Sequence, residues 1–382
     1  MRILVDYRPA LRQRTGVGEY MHNLVRAYAH HAATAADEVA VFTSSWKDRP
    51  AVGLSFELGA RVVDRRVPVR ILNYLWHRLE WPPIETLGAA ADVVHAAHPL
   101  LIPSRDAAQV VTVHDLYFLT EPQATRAEVR RDYADLASPH MKRADAVVAN
   151  SQYTASLVER TLGVPKARIF VCSPGPPSWR MLGRAPNIPP EGYVLFVGTL
   201  EARKNVGALL DAYALLIERD GRTPPLVIAG RTTPDAAAWL ERFSQPPLAG
   251  RVRHLGYVPD ADRENTYAGA RLFVMPSRNE GFGIPVLEAM SAGVPVVAAD
   301  RGALPEVLGD AGTLVDPDDA EALAAAMHRM LTDEPFAAVC AHRGLARARE
   351  FSWDRTALTL RTAYETALAN RRDRDSQTGG RA

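Results

Sequence analysis

The stretch "RNEGFGIPVLEAMSAGVPVVAAD", Arg278 to Asp300, decides how this chain is read. It joins a glycine-bracketed loop, a short apolar helix and an apolar strand. Pro285 suits a first helical turn, Gly293 the exit and Pro295 the position beyond it, so the spacing predicts a helix over 285–292. The run "VPVVAAD" (294–300) lacks polar alternation, the mark of a strand buried on both faces of a parallel sheet. Two carboxylates stand out: Glu280 in the loop and Glu288 one turn into the helix. A helix mouth offers free N–H groups and the positive dipole end to an anion, and Gly281 and Gly283 let that anion approach the backbone closely. A capping carboxylate followed by a solvated helical glutamate would show the same spacing, and spacing alone leaves both readings open.

Working outward, the same apolar runs recur along the chain. Strands are predicted at 2–7, 39–43, 92–96, 109–115 and 145–151, with amphipathic stretches between several of them. The pattern breaks at "SPGPPSWR" (173–180) and "NIPPEG" (187–192), then restarts with strands at 193–198, 225–230, 251–256, 272–277, 294–300 and 312–317. Continuous apolar strands separated by helices imply an α/β fold with parallel sheets, and the restart implies two of them, each doubly wound. The expected division is an N-terminal domain 1–175, a linker 176–192, a C-terminal domain 193–352, a helix 353–370 that could pack back on the N-terminal domain, and a polar, disordered tail 371–382.

Ligands of such sheets bind beyond the carboxyl ends of the strands. Gly198, Gly230, Ser277 and His114 all fall there. No G-x-G-x-x-G follows the first strand, which argues against an ordinary dinucleotide oxidoreductase. After Gly198, "EARKNV" presents Arg203 and Lys204 just before an amphipathic helix, placed to neutralise a diphosphate; a solvated basic loop is the plainer alternative. A glutamate on either side of an anion site, with two cations beside it, matches a nucleoside diphosphate sugar: sugar hydroxyls, diphosphate, ribose hydroxyls.

The ordered set "GVGEY", "TVHDL", "ANS", "VGTLEARKN", "LVIAG", "HLGYV", "LFVMPSRNEGFGIPVLEAMSAGVPVVAAD" and "FSWDRTA" resembles the group 1 family of retaining glycosyltransferases with the GT-B fold, two Rossmann-like domains facing an interdomain cleft. The likeness runs from residue 1 to about 365. It implies a first half that binds the acceptor and a second that binds the donor. It places Glu288 on the ribose, Glu280 near the hydroxyls of the donor sugar, and Arg203 and Lys204 on the diphosphate. It places the loop Gly281, Phe282, Gly283 and Ile284 against phosphates and sugar, Gly198 beside them, and Gly16 and Gly18 facing the diphosphate from the first half. His114 would reach the transferred sugar, with Asp115 orienting it or simply closing an Asx turn. Within that family the opening segment and "TVHDLYFLTEP" most resemble mannosyltransferases of bacterial surface polysaccharide assembly, which suggests GDP-mannose as donor and a glycan or lipid-linked acceptor. UDP- or dTDP-sugar transfer, a sugar-nucleotide 2-epimerase and a non-catalytic sugar-nucleotide sensor stay open. No acceptor-binding residue is assigned; the base-reading loops are sought near Gly230–Arg231 and Tyr257–Val258.

Composition narrows the rest. Apolar content of 47%, charged content of 23% and a net charge of +1 describe a soluble globular chain with no pull toward nucleic acid. Two cysteines, Cys172 and Cys340, make neither a disulfide framework nor a zinc set and suit the cytoplasm. No cofactor and no metal is expected: Asp260-x-Asp262 forms a D-x-D, but it reads as the cap of the helix "RENTYAGA". His95 and His98 could line an acceptor cleft but lack a third ligand. The segment 65–83 interleaves Arg65, Arg66, Arg70 and Arg78 with Ile71, Leu72, Leu75, Trp76 and Trp81; it could rest peripherally on the cytoplasmic face of the inner membrane or simply pack on its own domain.

Overall fold

A computed structural model describes residues 1–11, 14, 16–121, 127–179 and 188–379. Residues 180–187 of the expected linker and 380–382 of the tail lie outside the described residues. The chain divides into two compact units, one of Met1–Gly175 with Ser352–Ala382, the other of Pro176–Phe351.

In the first unit the described strands are β1 (Arg2–Asp6), β2 (Glu38–Ser44), β3 (Arg61–Arg65), β4 (Val93–Ala96), β5 (Ala108–Val113), β6 (Ala146–Ala149) and β7 (Ile169–Val171). All pair in parallel, in the order β3-β2-β1-β4-β5-β6-β7, with Ile3 opposite Val39 on one side and Val93 on the other. The inner strands are the apolar runs expected. The two that sequence patterning misses, β3 "RVVDR" and β7 "IFV", are the sheet's edges. As an edge, β3 is covered less completely and admits Arg61, Asp64 and Arg65, while β7 is apolar but only three residues long.

The 27-residue helix Trp353–Gly379 lies on β4, β5, β6 and β7 and against the helix Gly16–His30. Tyr364, fully buried in it, meets the Nδ1 of His95, whose Nε2 meets the Thr112 hydroxyl. His95 is therefore a satisfied core residue of β4, not a cleft-lining group. The helix also continues past 370. The tail was expected to be disordered on composition, but Arg371 donates to the Arg105 carbonyl and Arg374 pairs with the buried Asp145, and these contacts carry helix through Gly379.

The helix Val69–Leu79 is only partly amphipathic in the expected sense. Leu72 and Trp76 enter the core, and Arg8 stacks on the Trp76 ring at 4.7 Å. Ile71, Tyr74, Leu79 and Trp81 remain exposed. No helix among the described residues is long and apolar enough to cross a membrane.

In the second unit the strands are β8 (Tyr193–Val197), β9 (Leu226–Ala229), β10 (Val252–Gly256), β11 (Ala270–Met275), β12 (Val296–Ala299) and β13 (Thr313–Val315), in the parallel order β10-β9-β8-β11-β12-β13. Each sheet reverses its direction of winding beside its first strand: β1 next to β4, and β8 next to β11. At such a reversal the connections leave on opposite faces and open a crevice at the carboxyl ends.

Candidate active site

The β8/β11 reversal brings the expected residues of the second unit together. Glu201, Arg203 and Lys204 follow β8; Ser277, Arg278 and Glu280 follow β11. Lys204 Nζ donates to Glu280 Oε1 at 2.5 Å and Arg203 Nη1 to Glu280 Oε2 at 3.0 Å. Arg203 also pairs with Glu201 through Nε at 2.7 Å and donates to the Asn279 carbonyl, while the Arg278 N–H donates to the Arg203 carbonyl. Asn205, in the left-handed region at φ 55°, turns the chain from this short helical turn into the helix Val206–Arg219, and its amide donates to the Pro317 carbonyl. Glu280 is 5% exposed and Lys204 7%. Burial alone would raise the Glu280 pKa, but Lys204 and then Arg203 outweigh it and hold the carboxyl down to about 2.

Two glycines of the site are required by close backbone approach. A Cβ on Gly230 (φ +153°) would lie 1.8 Å from the Gly198 carbonyl oxygen, so the ends of β8 and β9 close only with a glycine at 230. Gly302 (φ +64°) packs on the Glu280 backbone, whose carbonyl accepts from the Ala303 N–H, and so fixes the loop bearing the carboxylate. The helix Ile284–Ser291 begins within one residue of its expected start, with Gly283 at φ 99° before it. Phe282 is a core side chain against Phe351, which leaves only its backbone for a ligand.

Glu288 lies in a different environment from Glu280. It is 3% exposed, accepts from the Tyr267 hydroxyl at 2.7 Å and forms an ion pair with Arg263. Arg263 and Tyr267 share one face of the helix Asp260–Ala268 and were missed by sequence reasoning; their four-residue spacing in "RENTY" was the available signal. The cap of that helix also corrects an expectation. Pro259 occupies the N-cap, while Asp260 and Asp262 stand in the first turn, where they complement the dipole, and Asp260 pairs with Arg263 at 3.2 Å. Trp179 stacks on Tyr267 at 5.3 Å.

In the first unit, Gly16 opens the helix Gly16–His30 at φ +35° with open space around it. Gly18 is buried, and a Cβ there would meet the Pro9 carbonyl at 2.6 Å, so backbone packing accounts for this glycine by itself. His114 follows β5; its Nε2 donates to the Ala97 carbonyl at 3.1 Å and its ring sits edge-on to Tyr20. Burial lowers its pKa to about 4, so the imidazole is neutral at pH 7 with Nδ1 left as acceptor. Asp115 accepts from the Tyr117 N–H, an Asx turn that closes the strand. His98, after β4, faces the buried Asp6 at 3.6 Å.

The Glu280 cluster makes a pH prediction. A carboxyl held to about 2 in the folded chain, against about 4.5 unfolded, contributes stability that is complete above the unfolded value. That contribution, roughly 3 kcal/mol, is lost as pH falls through the folded value. Urea unfolding from about pH 5 to about pH 3 should therefore show the wild-type chain losing stability faster than Glu280→Gln. Parallel curves would remove the carboxylate from the cluster.

Comparison with known proteins accords with this geometry. Residues 191–333 match the glycosyl transferases group 1 profile, and residues 14–176 match Glycosyltransferase Family 4. The O-antigen chain mannosyltransferase B of Escherichia coli is 33% identical over 96% of this chain and 100% of its own length. A D-inositol 3-phosphate glycosyltransferase of Corynebacterium urealyticum is 28% identical over 96% of both chains. Among solved structures, sucrose-phosphate synthase from Thermosynechococcus elongatus superposes with a TM-score of 0.76 at 21% identity, covering 97% of this chain and 99% of that one. Anabaena HepE, solved with UDP and glucose, gives 0.70 at 18%, covering 96% and 100%. Two parallel α/β units, a cation pair and carboxylate at the second switch point, and an end-to-end match at this identity lead to one conclusion: the chain belongs to the group 1 glycosyltransferases and has the GT-B fold.

Proposed function

We propose that the chain transfers a hexose, best read as mannose from GDP-mannose, to a glycan or lipid-linked acceptor in the assembly of a cell-surface polysaccharide, with retention of the anomeric configuration. The observation that carries the reading of the site is the contact of Glu280 with both Arg203 and Lys204. A buried lysine beside a half-buried arginine, with a carboxylate as counter-ion, is a ready site for a diphosphate, which brings more negative charge than the carboxylate it replaces. As the bond to the sugar breaks, the leaving diphosphate gains charge. Arg203 and Lys204 then bind it more tightly than the intact donor, and that difference lowers the barrier. Glu280, released from the cations, takes a hydroxyl of the donor sugar. Glu288, oriented by Arg263 and Tyr267, takes the ribose. In the first unit the neutral His114 accepts from a sugar hydroxyl through Nδ1.

Retention fits a front-face path in which the departing phosphate oxygen removes the acceptor's proton, since these groups position and neutralise rather than form an acid and base pair. With the leaving charge met by Arg203 and Lys204, the proposed chemistry calls for no metal ion or cofactor. The mannose assignment rests on the relative of Escherichia coli named above. We also place the enzyme at the cytoplasmic face of the inner membrane, where the exposed Ile71, Tyr74, Leu79 and Trp81, with the exposed Arg66, Arg70 and Arg78 nearby, would meet an anionic leaflet.

Melting temperature measured against GDP-, UDP-, ADP- and dTDP-sugars should rise most with GDP-mannose, because a ligand of the folded state alone stabilises it. Lys204→Ala should fold yet lose about a hundredfold or more in transfer rate, since the leaving group's charge loses a partner. A variant that transfers at near wild-type rate would overturn the assignment. In sedimentation with anionic vesicles, wild type should pellet and Tyr74→Ser/Trp81→Ser should not; wild type left in the supernatant ends the membrane reading.

A further inference from the structure

The first unit contains a cavity of about 630 Å³ at the amino edge of its sheet. It lies between the starts of β5, β6 and β7, the helix Ala127–Arg143 and the last turns of Trp353–Gly379. His114 leaves the opposite, carboxyl edge of the same sheet, so this cavity is not the transfer site.

Two side chains more than nine-tenths buried line it with unused hydrogen-bonding atoms. His140 is 3% exposed; its Nδ1 accepts from the Leu101 N–H, which fixes the ring proton on Nε2 as a donor, and no acceptor for it occurs among the described residues. Gln109 is 7% exposed, and its Oε1 is buried without a donor among the described residues. A buried polar atom left unpaired, as Gln109 Oε1 is, costs free energy that a ligand can return.

The lining is also unevenly charged. Arg143 is matched by Glu80 at 2.8 Å and Arg374 by Asp145 at 2.7 Å. Lys142 and Arg168 have no carboxylate partner among the described residues; Arg168 donates only to the carbonyls of Lys142 and Ala144. The volume falls in the ordinary range for small-ligand sites, roughly 300–1,000 Å³.

We propose that this cavity is a second ligand site, for a phosphorylated, hydroxyl-bearing group of hexose monophosphate size. The phosphate sits against Lys142 and Arg168, a ligand hydroxyl donates to Gln109 Oε1, and a ligand oxygen accepts from His140 Nε2. Such a group exists both as a free sugar phosphate and as the headgroup of a phosphoinositide. Because its wall includes the end of the Trp353–Gly379 helix, an occupied site clamps that helix to the sheet.

The test is isothermal titration of the full chain with glucose 1-phosphate, with inorganic phosphate and glucose as partial probes. The expected result is binding that survives Lys204→Ala, where the donor site has lost its lysine, and weakens at least about tenfold in both Lys142→Glu and Gln109→Leu. Lys142 is exposed at its surface and Gln109→Leu keeps the side-chain volume, so each variant should melt near the wild-type temperature. In the Tyr74→Ser/Trp81→Ser background, co-sedimentation with phosphatidylinositol vesicles that is lost on adding Lys142→Glu, without binding of free glucose 1-phosphate, would assign the headgroup source of the same chemistry. Binding abolished by Lys204→Ala and indifferent to Lys142→Glu and Gln109→Leu would overturn the proposal, as would no binding of either probe. The inference does not rest on the donor assignment, and the Lys204 and Lys142 arms separate the two failures.

Discussion

A carboxylate held between two cations inside a protein is the interaction on which this structure depends. Glu280 and Lys204 are buried and Arg203 is half-buried, and each charge is met by another in the cluster. Such clusters are poor devices for stability alone, because well-packed apolar residues of similar volume often serve as well or better. What a charged cluster does that an apolar one cannot is hold two cations in fixed positions, ready for another anion. The fold supplies the meeting place: Arg203 and Lys204 leave β8, Glu280 leaves β11, and the winding reverses between those two strands. Removing Glu280 leaves Arg203 and Lys204 side by side with only Glu201 to balance them.

Much of this was legible in the sequence. Inner strands announced themselves by continuous apolar runs, and the helix after Gly283 by Pro285 and Gly293, because sheet burial and helix ends impose local residue choices. Glu280, Glu288, Arg203 and Lys204 were singled out by residue type and by likeness to a family. Their partners were not. Nothing local ties Glu280 to Lys204, 76 positions away; that contact follows from strand order, and strand order is a tertiary property. The same holds for Glu288 with Arg263 and Tyr267, although the four-residue spacing of those two hinted at a shared helix face. The edge strands escaped for different reasons: β3 carries Arg61, Asp64 and Arg65, and β7 is apolar but only three residues long. The terminal turns beyond Asn370 escaped because polar composition reports poor core-forming power, whereas Arg371 and Arg374 are held by a carbonyl and a buried carboxylate.

Glu280, before the helix Ile284–Ser291, and Glu288, within it, look alike in sequence and differ in place. Glu280 faces two cations and sits on a loop whose backbone is pinned by Gly302 and Ala303. Glu288 is held by one guanidinium and one phenol. The first arrangement suits exchange, since an incoming diphosphate competes for the same donors. The second suits orientation, since a tyrosine hydroxyl and an arginine fix the carboxylate without an obvious competitor. Under the proposed function, one short loop and helix serve both ends of the donor.

The central claim is that Glu280 stands in for the diphosphate on Arg203 and Lys204. The most direct measurement is calorimetric titration of free GDP and UDP into wild type and Glu280→Gln at neutral pH and low salt. If the carboxylate competes for the cations, removing its charge while keeping its shape should tighten binding of the preferred nucleotide by about tenfold or more, even as sugar transfer falls. Nucleotide binding that weakens in Glu280→Gln, or does not change, would contradict the account.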